Sequence, residues 1–165
     1  MRTTQLEFHP HAGWSAPADA DADLADAQLV LVTGDRQALG SPTLLPPLRE
    51  RFPRSSIVLC SSGADIAGDR VREAGAVATA VHFAAAHVRA VQGEIRGRED
   101  SEAAGARLAA QLPPADLRHV LVFSEGLQVN GSALAAGLAG ALPPTVSITG
   151  GLPGDGERFG ETVVG

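Results

Sequence analysis

Four stretches of this 165-residue chain carry the residue types from which a binding site is built. Each follows a short apolar run: GDRQALG after Thr33, SSGADI after Cys60, SEGLQVNG after Phe123 and GGLPGDGERF after Thr149. Glycine lets the backbone approach a bound group closely. Successive amides around it form a concave nest for an anion. Asp65, Glu125 and Asp155 add negative charge to the same loops. A site with both anion-binding amides and carboxylates suits a small zwitterion such as an amino acid. On this reading the amides of Gly150 and Gly151 meet the ligand's carboxylate. Glu125 or Asp155 meets its amine, and Ser61, Ser62 and Asn130 orient it.

Catalytic patterns are weaker. LCSSG (59–63) ends an apolar run, the setting of a nucleophile elbow, but Leu59 stands where that turn needs a glycine. Cys60 or Ser61, with His119 or His82 as base, gives a hydrolase as the alternative. His9 and His11 offer two metal ligands with no third nearby in the sequence. GDGERFG has neither the spacing nor the following helix of a dinucleotide fingerprint. The expectation is a ligand-binding module, not an enzyme, with no cofactor and no metal.

Charge and composition narrow the partners. All thirteen basic residues are arginine, so Schiff-base lysines and Walker A loops are excluded. The net charge is −6, which speaks against nucleic acid and against an anionic membrane surface. Cys60 is the sole cysteine, so no internal disulfide is possible. A reducing compartment fits that usage. The first residues lack a signal-peptide core, and no run reaches the ~20 apolar residues of a membrane helix. A cytoplasmic protein is expected.

The elements that must hold these loops alternate. QLVLVTG (28–34), SIVLC (56–60), LRHVLVFS (117–124) and TVSIT (145–149) read as short buried strands. Leu44, Leu48 and Phe52 make one helical stripe, with the helix starting after Pro46 and Pro47. Residues 76–83 and 86–95 read as an antiparallel hairpin. Residues 99–112 read as a helix with a capping serine and the stripe Ala104, Leu108, Leu112. A helix over 130–142, capped by Asn130 or Ser132, aligns Leu134, Leu138 and Leu142. Gly137 and Gly140 would let it lie close on a sheet. The fold class is therefore α/β: a mixed, largely buried β-sheet with flanking helices, in one domain over 28–165. Residues 1–27 read as an N-terminal arm or linker, with an Ala/Asp-rich spacer at 15–27. ETVVG (161–165) reads as the start of a further strand with an open edge.

The block VLVFSEGLQVNGSALAAGLAGALPPTVSITGGLPGDGERFGET (120–162) resembles the FIST N-terminal domain, a sensory module of bacterial signalling proteins. The residues that carry the likeness are Ser124, Glu125, Gly126, Leu127, Asn130, Gly131 and Gly137 in its first half. Gly150, Gly151, Leu152, Gly154, Asp155, Phe159 and Thr162 carry it in the second. CSSGADI (60–66) resembles a further family segment, with Ala and Gly exchanged. Glu125 stands where the family has Asp, and Pro153 where it has Ala. The resemblance implies binding of a small ligand, amino acids being the usual suggestion. It also implies partners: a C-terminal FIST-type domain, which the family normally carries, and a histidine kinase, chemotaxis or cyclase output module.

Overall fold

A computed structural model describes residues 1–16 and 24–165. The chain divides into two compact units, residues 1–88 with 154–165, and residues 89–153. The stretch from residue 28 onward, read from sequence as one domain, is shared between them. Most of the Ala/Asp-rich spacer lies outside the described residues.

The first unit is built on a mixed five-stranded sheet. Its elements in chain order are β1 (Arg2–His9), β2 (Gly13–Ser15), β3 (Leu29–Gly34), α1 (Arg36–Leu39), α2 (Leu45–Arg51), β4 (Ser56–Ser61), β5 (Asp65–Ala67), β6 (Arg70–Arg72) and β7 (Ala76–His82). The strand order is β2-β1-β7-β3-β4, with β5 and β6 as a separate hairpin. Only β3 and β4 run parallel; β7 is antiparallel to both β1 and β3. Three expectations change here. Residues 2–9 are not a loose arm but a sheet strand, because Thr4, Leu6 and Phe8 alternate into the interior. Residue 76–82 pairs with that strand instead of with 86–95, which is irregular. Leu24 and Ala27 close the spacer by packing into the core, 1% and 0% exposed.

That core joins Leu6, Phe8, Val30, Val32 and the small residues Ala76, Ala78 and Ala80 of the sheet to Leu44, Leu48 and Phe52. The last three are the predicted stripe, all 1% exposed or less. The helix starts at Leu45, before the two prolines. Amides of a first turn have no intrahelical partner, so proline loses nothing there. Trp14 packs on Phe8 and donates to the Leu44 carbonyl at 2.8 Å.

The end of the chain is also tied down. Residues 163–165 run antiparallel along β4: Ser61 N donates to Val163 O at 2.8 Å, and Gly165 N to Leu59 O at 3.1 Å. The strand expected to stand open thus borders β4 on the side away from β3.

The second unit holds α3 (Ser101–Ala109), entered through a 3-10 turn at Arg98–Asp100, then β8 (His119–Phe123), α4 (Gly131–Ala141) and β9 (Ser147–Gly151). β8 and β9 form a parallel pair in the register Val120↔Ile148, Val122↔Gly150. Leu134, Leu138 and Leu142 are buried, as their spacing predicts. Asn130 is the cap: its Oδ1 accepts from Ala133 N at 3.1 Å. The glycines of α4 have a different use from the one expected. A Cβ on Gly137 would run into the Glu102 carbonyl, and one on Gly105 into Leu134 O, while Gly140 faces open space. Gly105 and Gly137 let α3 and α4 meet backbone to backbone. Ser101, fully buried, does not cap α3; its Oγ donates to Arg98 O and accepts from Asn130 N at 3.0 Å.

Candidate functional site

The seven residues expected at one rim fall into two sets, one in each unit. Ser61, Ser62 and Asp155 lie in the first. Ser61 is 1% exposed; its Oγ donates to Gly154 O at 2.8 Å and accepts from Val163 N at 3.0 Å. It clamps the terminal segment onto β4. Ser62 donates to Asp65 Oδ1 at 2.8 Å. The Asp155 side chain is buried, and its Oδ2 accepts from the amides of Gly160 and Glu161. Its Oδ1 accepts from Arg158 Nε at 3.0 Å, with Arg36 close by. Arg158 also donates to Asp35, the cap of α1, and Arg36 pairs with Glu161.

The charges in this network pair with one another, while the buried Arg36 Nε has no hydrogen-bond partner among the described residues. Burial works against the charged form of Asp155, but the Glu161 and Gly160 amides and the Arg158 guanidinium outweigh it. Its carboxyl therefore sits below the ordinary value. Asp35 is lowered in the same way, burial being overcome by Arg158 and the Gln37 amide. Burial, helped by the charge of Asp65, pushes the Cys60 thiol up. A thiol kept protonated is a poor nucleophile. The Ser61 hydroxyl already has two partners, and His82 is paired with Asp26 at 3.1 Å. His119, the other candidate base, lies in the second unit, its Nε2 2.8 Å from Thr149 Oγ1.

Glu125, Asn130, Gly150 and Gly151 lie in the second unit. There the carboxyl ends of β8 and β9 meet the start of α4 around a hollow of about 350 Å3. Val122, Leu134, Ala135, Ile148 and Leu152 give it apolar walls. The Ser124 hydroxyl and the backbone of Gly131, Thr149, Gly150 and Gly151 supply its polar points, the Thr149 hydroxyl being held 2.8 Å from His119 Nε2. Clefts with apolar lining and a few placed polar groups are the usual form of a small-molecule site. Crevices beyond the carboxyl ends of parallel strands are its usual place in α/β folds.

The two glycines here differ. Gly150 has φ +148° and lies so close to β8 that a Cβ would collide with Val122 O. Gly151, also in the lining, has nothing within 4 Å of its missing Cβ. Glu125 is turned to its own loop: its carboxylate oxygens accept from Leu127 N at 2.8 Å and Gln128 N at 2.6 Å. The wall residues escaped sequence reasoning, which looked for polar groups. Leu152, directly after the two glycines and 47% exposed, was the available signal. The first unit has its own hollow of about 300 Å3 against Arg49, Phe52 and Ile57, away from the glycine loops. Ser55 at that place already donates to Ala27 O.

The family model of the FIST N domain matches residues 28–165. The chain belongs to the FIST N domain family. FIST domains are sensory domains of signalling proteins, so the hollow and the glycine loops belong to a sensory module. No curated protein and no solved structure matches the chain significantly. Among the described residues no helix is long and apolar enough to cross a membrane, and no cluster of side chains is arranged to hold a metal ion.

Proposed function

We propose that this FIST N domain is the ligand-binding part of a cytoplasmic signal-transduction protein, and that the hollow of the second unit receives its ligand. The ligand is a small polar metabolite such as an amino acid. One observation carries the reading: an apolar-walled hollow with a serine hydroxyl and glycine backbone at the carboxyl ends of two parallel strands. The other candidate acids are engaged elsewhere, Asp155 with arginine and amides and Glu125 with its own loop. Binding acts on signalling only through differential affinity for two states of the module. The SEGLQVNG and GGLP loops border the hollow and are the segments that binding would order. The output partner is a C-terminal FIST-type domain or a kinase, chemotaxis or cyclase module.

A thermal-shift screen of amino acids and small carboxylates tests this. At least one compound should raise the melting temperature, and the rise should vanish in Ala135→Leu, where a good helix former at an exposed position fills the hollow. Absence of any shift with a folded protein would overturn the reading.

A further inference from the structure

The hollow's lining constrains what part of a ligand it reads. Five of its walls are aliphatic side chains, and among the described residues no acidic or basic side chain lines it. The nearest acid in sequence, Glu125, has both carboxylate oxygens held by the amides of Leu127 and Gln128. Ser124 is 6% exposed, and among the described residues its hydroxyl has one long contact, 3.5 Å to the Glu125 carbonyl, so it retains bonding capacity. That hydroxyl can donate to a ligand's carboxylate, beside the backbone of Gly150 and Gly151.

We infer that the hollow selects a branched aliphatic acid by its hydrocarbon part, and leaves an α-amino group unread. This rests on the reading that the hollow is the ligand site. An ammonium group taken from water needs a carboxylate or several acceptors to offset its lost hydration. Among the described residues no carboxylate lines the hollow, so replacing the amine by a hydroxyl costs no ion pair. Each methylene buried against Val122, Leu134, Ile148 and Leu152 is instead worth roughly a fourfold gain in affinity. Very small ligands gain little there.

Titration calorimetry of the whole chain with valine, 2-hydroxyisovalerate and lactate separates the outcomes. Valine and 2-hydroxyisovalerate should bind within about threefold of each other, and lactate, two carbons shorter, roughly 15-fold more weakly. All binding should be lost in Ala135→Leu, with an unchanged circular dichroism spectrum showing that the variant folds. Valine binding more than tenfold tighter than its hydroxy analogue, yet still lost in Ala135→Leu, would overturn the inference and leave the site standing. Binding of no compound, or binding unaffected by Ala135→Leu, would overturn the site reading and the inference with it.

Discussion

The glycine-rich segment 148–159 crosses from one unit to the other, and its two halves behave oppositely. In the half after Gly154, polar groups close on one another: Asp155 takes two amides and a guanidinium, and Arg158 bridges to Asp35. In the half before it, Gly150, Gly151 and Leu152 border a hollow whose walls are apolar. Charge in a loop is therefore a poor guide to binding when the same loop supplies the countercharge. Space beside an unfilled backbone position is the better one. Buried charges demand partners, and a short loop meets that demand from its own amides.

Four substitutions, one of them read by acid titration, separate the halves. The largest effect is expected from Gly150→Ala, which places a Cβ against Val122 O at φ +148° and should cost more than about 4 kcal/mol. Hydrogen exchange of the β8 and β9 amides measures it; exchange like the wild type would show that β9 approaches β8 less closely. Ser61→Ala comes next. It leaves Val163 N and Gly154 O without their buried partner, a loss of about 1–3 kcal/mol in urea unfolding. Trp14, the single tryptophan, lies in the same unit and reports it by fluorescence. Acid titration follows. The folded Asp155 and Asp35 carboxyls lie below their ordinary value of 3.8. The stability this contributes is complete above that value and falls away as pH drops through it toward the folded values. Asp155→Asn should flatten that part of the Trp14-detected acid profile; an unchanged profile would show that the Asp155 charge does not stabilise the fold. Gly151→Val should have the smallest effect on stability, under about 1 kcal/mol, because its side chain enters open space, while ligand binding is lost.

Some of this was legible in the residues. The 44–48–52 and 134–138–142 stripes and the apolar runs at 29–34, 56–61 and 119–123 report local periodicity, and they hold. β1 was also written in the sequence as the alternation of Thr4, Leu6 and Phe8, but polar neighbours and the His-Pro-His turn hid it. The partner of β7 was not legible, since its pairs with β1, from Phe8↔Ala76 to Arg2↔His82, join segments far apart in the chain that meet only through the fold. Gly105 and Gly137 gave no hint of their partner, because a close helix contact is a property of two helices together. At the site, Gly150 and Gly151 were identified by type. Ser61 and Asp155 were identified by type as well, but their side chains look inward, which composition does not encode.

The central claim is that the ligand sits in the apolar hollow of the second unit and not on the charged loop of the first. Amide chemical-shift mapping of the 15N-labelled chain, titrated with valine, tests it most directly. The account predicts perturbations centred on Ser124, Gly131 and Thr149–Leu152, and their loss in Ala135→Leu. Perturbations centred on Ser61–Asp65 and Asp155–Glu161, with the hollow's amides unmoved, would contradict it.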